Sequence, residues 1–286
     1  MKIIVSKKFD NKTLGYFLDY YKQSKKNKYL LFLENKIKVN DSKSNAETIL
    51  RLNDEITIIN DTGIDYILDE LSVDVVYEDD IILIVNKPTG IIVHKEKNET
   101  GSLANRVARY YKDKGLDLPI RHLHRLDEQT QGLIVYCKSS FFQPYLDYLL
   151  SIKKIKRYYK AIVFNMANKE EFTINEPIGK DRHDSKKYRV SKTGKEAKAH
   201  VKILSTKGKY SLCECELETG RTHQIRVHLS YLNMFIVNDV LYGKKSNDFK
   251  DMGLYAYKLE WHDILTDKKM MVELPSNKDL NYFEMF

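Results

Sequence analysis

At 286 residues, 42% of them hydrophobic, the chain can fill the core of one large domain with a small one beside it, which sets disorder aside. Lys and Arg number 48 against 40 Asp and Glu, a formal charge of +8, and that balance favours an anionic partner such as nucleic acid. No stretch approaches the ~20 uninterrupted apolar residues of a membrane span, and the start MKIIVSKKFDNK lacks the apolar core of a signal peptide. A cytoplasmic protein with no membrane partner is the expectation.

The first 60 residues carry 12 Lys and Arg against 7 Asp and Glu, so +5 of the total charge sits in about a fifth of the chain. Within them TLGYFLDYYKQ has helical spacing, YLLFLENKIKVND reads as a helix end running into a short strand, and RLNDEITII alternates like a second strand. A helical pair followed by a hairpin is expected, forming a small basic α/β module. Charge and pattern both change across DTGIDYILDELS at 61–72, which places the division at 1–65 and 66–286.

Beyond it the strand candidates are VDVVYED, IILIVNK, GLIVYCK, YKAIVFN, HVKILST, YSLCECELE and LYAYKLEWH. Helices are expected in GSLANRVARYYKDKG, SSFFQPYLDYLLSIKK and RTHQIRVHLSYLN. The strands outnumber the helices and do not alternate regularly with them, so the fold class is α+β with a mixed, largely antiparallel sheet. Cys213 and Cys215 fall on one face of their strand and read as core residues.

The chemistry-bearing motifs are few. HLHRLD (122–127) and RTHQIRVH (221–228) supply four histidines, and a metal-dependent hydrolase would need several of them to converge with a carboxylate on one ion. There is no HExxH or CxxC, and neither a phosphate-binding glycine loop nor a GxSxG elbow occurs. The basic stretches KKIKRYYK (153–160) and GKDRHDSKKYRVSKTGKEAK (179–198) interleave cations with Tyr158, Tyr159 and Tyr188. Such a mixture meets phosphates and stacks bases, which favours RNA. NKPTGIIVH (86–94) reads as a bend after a strand, and Asp127, taken alone, as a cap or as an ion-pair partner of Arg125.

Five blocks stand in order along residues 72–262: YEDDIILIVNKPTGIIVH, HRLDEQTQGLIVYCKS, KRYYKAIV, PIG followed by GKEAKAHVKIL, and ETGRTHQIRVHLSYLNMFIVNDVLYG. Together they resemble the RluA-type family of RNA pseudouridine synthases. Residues 1–65 are similar, more loosely, to the αL RNA-binding module that often precedes that catalytic domain, with Asn35 and Asp41 standing at glycine places. The resemblance implies a pseudouridine synthase fold with a central RNA-binding cleft, and isomerisation of specific uridines in RNA without metal or organic cofactor. Ribosomal RNA of the large subunit is the first expected substrate, transfer RNA the second, and a monomer the simplest state.

By motif position, the resemblance makes Asp127 the essential catalytic carboxylate, Tyr159 the ring stacked on the flipped base and Arg226 the partner of Asp127. Arg125 would enter the RNA and hold the uridine outward, and His124, Lys87, Lys156, Arg157 and Arg221 complete the expected RNA-contacting set. Two positions depart from the family pattern: Gln131 where serine is usual, and Asn238 where glycine usually precedes the aspartate, here Asp239. A non-catalytic RNA-binding or assembly factor remains the alternative from another class, and it would need neither Asp127 nor Arg226.

Overall fold

A computed structural model of the chain describes residues 1–164 and 170–275. Asn165, at the end of the expected strand YKAIVFN, and residues 276–286, at the end of the second expected domain, lie outside the described residues.

The first part of the chain contains β1 (Lys2–Ile4), α1 (Leu14–Tyr20), α2 (Lys25–Leu33), β2 (Ile37–Val39), β3 (Ser42–Lys43) and β4 (Glu55–Ile58). Both helices begin where a hydroxyl satisfies a free backbone donor: Thr13 accepts from the Tyr16 N–H and Ser24 from the Asn27 N–H. The strands form a four-stranded antiparallel sheet in the order β1-β4-β2-β3. The expected hairpin is therefore corrected to a sheet that also takes in the N-terminal strand. Asn35, Asn40 and Asp41 hold φ of 51°, 48° and 59°. The left-handed turns that glycine usually makes are made here by the two other residue types that tolerate them.

The rest comprises β5 (Asp74–Glu78), β6 (Ile82–Lys87), α3 (Leu103–Asp113), β7 (Gln131–Cys137), α4 (Gln143–Ser151), β8 (Lys156–Phe164), β9 (Glu171–Asn175), β10 (Ile178–Lys180), β11 (Tyr188–Val190), β12 (Lys198–Lys207), β13 (Tyr210–Leu217), α5 (Gln224–Tyr231), β14 (Phe235–Ile236), β15 (Leu254–His262) and β16 (Lys269–Glu273). A ten-stranded sheet runs β5-β6-β7-β15-β8-β13-β12-β9, with β14 on β8 and β16 on β15. Among the described strands only β7 and β15 pair in parallel, so the sheet is mixed and largely antiparallel. β10 and β11 form a separate ribbon.

Alternation along β8 divides the core. Tyr159, Ala161 and Val163 join Cys213 and Cys215 in one cluster with Leu103 and Val107 of α3 and Ile225 and Leu229 of α5. Tyr158 and Ile162 belong to the other cluster, with Tyr145 and Leu146 of α4 and with Phe17 and Leu18 of α1. The basic N-terminal part is thus packed onto α4 and not hung from a tether. The Tyr21 ring meets Phe142 at 5.0 Å and Tyr145 at 5.1 Å, and the Gln23 amide donates to the Phe141 carbonyl at 2.6 Å.

Candidate active site

The segment 114–130 joins α3 to β7 and carries Asp127 into a cleft of about 840 Å³. Arg125, Arg157, Tyr159, Arg221 and Arg226 line the same cleft. Three elements therefore converge: the loop before β7, the β8 strand, and α5 with the turn preceding it.

Arg226 lies in the first turn of α5 with a side chain only 5% exposed. Its Nη1 donates to Asp127 Oδ2 at 2.8 Å, while Nε and Nη2 donate to Asp239 Oδ2 and Oδ1, each at 2.8 Å. A planar guanidinium suits this geometry, because one edge grips a carboxylate side-on and leaves a donor for a second. Burial alone would lower the Arg226 pKa, yet the hydrogen bonds and charge of Asp239 and Asp127 raise it above its ordinary value. Asp239 has no exposed side-chain surface, and its Oδ1 also accepts from the N–H groups of Leu241 and Tyr242. Burial pushes its carboxyl upward, but Arg226 and those two donors hold it below the usual carboxylate value.

On the other side of Asp127, His223 Nε2 stands 3.8 Å from Oδ1. His223 has φ of 57° just before α5, and its Nδ1 is 2.8 Å from the Tyr242 hydroxyl. That hydroxyl accepts the Tyr188 N–H at 2.7 Å. Its own hydrogen is then available to Nδ1, an arrangement in which the neutral ring carries its proton on Nε2, facing Asp127. Burial lowers the His223 pKa, against the pull of Asp127.

Tyr159, 4% exposed, contributes to the wall of the cleft, and burial pushes its phenol upward. Arg125 is exposed. Arg157 Nη2 donates to the Thr219 carbonyl at 3.4 Å and Arg221 Nε to the Glu196 carbonyl at 2.7 Å. His124 lines the cleft but is buried, its Nε2 accepting the Val135 N–H at 3.4 Å, and burial pushes its pKa down to about 3. Its position is that of a support for the loop.

Two further expected RNA contacts stand away from the open cleft. Lys87 has no exposed surface; its Nζ donates to the carbonyls of Pro88 (3.0 Å), Ile91 (2.7 Å) and Glu128 (2.9 Å). It ties the NKPTG bend to the residue after Asp127, and burial pushes its ammonium down to about 8 although Asp127 and Glu128 pull upward. Lys156 alternates away from Arg157 on β8 and pairs with Glu216 at 3.0 Å outside the cleft lining. The histidines also disperse. His122 stacks on His94 at 4.4 Å and His228 Nε2 meets the Glu176 carbonyl, and among the described residues no three metal-ligating side chains cluster.

Asp127, Arg226 and Tyr159, named from the sequence, stand together in the cleft, whereas Asp239, His223 and Tyr242 beside them were not named as parts of the site. The available signal for Asp239 was a carboxylate in the same block as Arg226, immediately after a departure from the family pattern.

Residues 81–231 match the RNA pseudouridylate synthase family. The chain belongs to the RluA-type RNA pseudouridine synthases. This synthase is 41% identical over 210 residues to the uncharacterised RNA pseudouridine synthase YhcT of Bacillus subtilis, covering 72% of this chain and 70% of that protein. It is 34% identical over 269 residues to ribosomal large subunit pseudouridine synthase D of Buchnera aphidicola, covering 87% and 86%. The solved structure of human RNA pseudouridylate synthase domain containing 1 superposes with a TM-score of 0.59 over 71% of this chain and 83% of that one, at 20% identity, a likeness of fold. The synthase is accordingly an isomerase that acts on RNA.

Proposed function

We propose that this synthase converts a uridine of large-subunit ribosomal RNA to pseudouridine in the described cleft, with Asp127 as the reacting carboxylate and no cofactor. The observation that carries the reading is a partly exposed Asp127 whose Oδ2 is held by a buried arginine while Oδ1 has no hydrogen-bond partner among the described residues. The reaction breaks the bond from the ribose anomeric carbon to N1, turns the uracil, and joins C5 to the same carbon. C5 loses a proton and N1 gains one, so atoms and electrons balance without a co-reactant. Asp127 serves either as nucleophile on the anomeric carbon or as base at the neighbouring ribose carbon, and both require it ionised beside Arg226.

Tyr159 stacks on the extruded uracil, returning roughly 1 to 3 kcal/mol of the few lost on unstacking. Arg125 fills the gap that the base leaves and Arg221 meets phosphate, while Arg157, buried against the Thr219 carbonyl, supports the wall of the cleft. The N-terminal module, residues 1–65, adds basic surface for the RNA. The choice of large-subunit RNA rests on the likeness to proteins named for that activity and on the charge of the chain.

Asp127→Asn is expected to fold and bind RNA like the wild type while losing at least about three orders of magnitude in turnover. Near wild-type pseudouridine formation by that variant would overturn the assignment of the carboxylate. Pseudouridine mapping of total RNA from cells with and without the protein tests the substrate: a lost site in large-subunit RNA supports it, and a lost site in transfer RNA replaces it.

A further inference from the structure

Asp239 does not itself line the cleft, yet it holds two of the three donors that Arg226, which does, offers to carboxylates. The charges of the group are one guanidinium between two carboxylates, a net of −1 if both are ionised. One carboxylate is wholly enclosed and held by four N–H groups, two from Arg226 and two from the Leu241 and Tyr242 backbone. The other is 24% exposed and receives a single donor from the arginine.

We propose that Asp239 is a positioning residue that tunes Asp127: by neutralising most of the Arg226 charge, it leaves Asp127 held in place but still reactive. A lone Arg226 paired only with Asp127 would stabilise the ionised carboxylate strongly and, by the same interaction, weaken it as nucleophile or base. Shared between two carboxylates, the arginine fixes Oδ2 and leaves Oδ1 turned to His223. The side-on grip of Asp239 also sets the guanidinium plane, so the direction of Nη1 toward Asp127 depends on it. The inference rests on Asp127 being the reacting group.

The test is the pH dependence of single-turnover rate for Asp239→Asn and Asp239→Glu beside the wild type, with thermal unfolding of each. The charged and titratable groups around Asp127 are Arg226 and His223 from the α5 region, Lys87 from the end of β6, Glu128 beside it in the loop, and Tyr159 and Tyr242. All are unchanged in these variants. Asp239→Asn removes the charge at nearly constant shape, so its acid limb should move down by about one pH unit and its plateau fall about tenfold or more. Asp239→Glu keeps the charge, and its acid limb should stay at the wild-type position whatever its plateau. Limbs that coincide in all three proteins, or an Asn variant that fails to fold, overturn the tuning role and leave Asp239 a structural anchor. Failure of the underlying reading is separately visible, because Asp127→Asn would then remain active.

Discussion

At the scale of single residues, the site depends on how one buried cation is shared. Removing Arg226 would strand Asp239 with no exposed side-chain surface and, among the described residues, no other ion-pair partner, the costly way of breaking a buried pair. Arg226→Met should therefore lower unfolding free energy by about 3 to 5 kcal/mol in urea denaturation as well as abolish turnover. A variant as stable as the wild type would show that Asp239 relaxes into water or is protonated at little cost. The pairing of Asp127 with Arg226 was legible because the two stand in separate motif blocks whose resemblance implies an arginine beside the carboxylate. Asp239 was not, because its role follows from a side-on contact across 13 residues of helix and turn. The enclosure of Lys87 was hidden from the sequence for a related reason. A lysine after a strand looks like a surface cation, and only the convergence of three carbonyls from two segments makes its enclosure tolerable.

At the scale of elements, the strands with apolar runs were visible in the sequence and the short ones were not. β1, β3, β10, β11 and β14 have two or three residues each, too few for alternation to register, and β9 and β16 border the large sheet. The left-handed turns at Asn35, Asp41 and Asn238, with φ of 51°, 59° and 56°, explain why the glycine signature is missing while the geometry survives. Gln131 opens β7 opposite Tyr255 and makes no described side-chain hydrogen bond; nothing in the structure explains its replacement of serine. The unforeseen element-level feature is the docking of α1 on α4 through aromatic rings. Tyr21, 2% exposed, contacts Phe17, Phe141, Phe142 and Tyr145. Tyr21→Ala should cost about 3 to 5 kcal/mol, as other large aromatic truncations in cores do. Hydrogen exchange would read it locally: amides of residues 1–58 should lose protection before those of the large sheet. Unchanged protection there would mean that the cluster does not hold the module.

At the scale of the whole molecule, enclosed histidines set how the protein meets acid. Burial lowers the pKa of His94, His223 and His228, pushes His122 down to about 4, with His94 and Arg125 adding to the effect, and His124 to about 3. A histidine lowered in the folded state binds fewer protons there than in the unfolded chain, so stability falls as pH drops from 6.5 toward the folded value. For His122 that interval runs from 6.5 down to about 4. The lowered carboxylates act in a different window: Glu218, held down to about 2 by hydrogen bonds from Lys153, Lys198 and His200, contributes stability that is lost only below its ordinary value of 4.5. Loss between pH 6.5 and 4.5 therefore belongs chiefly to the histidines. His122→Phe, which keeps a ring to stack on His94, should match the wild type near pH 7 and lose distinctly less stability by pH 4.5. Denaturant titrations of both proteins at pH 7, 5.5 and 4.5 check this, and parallel declines would show that His122 gains enough solvent on protonation to escape its burial.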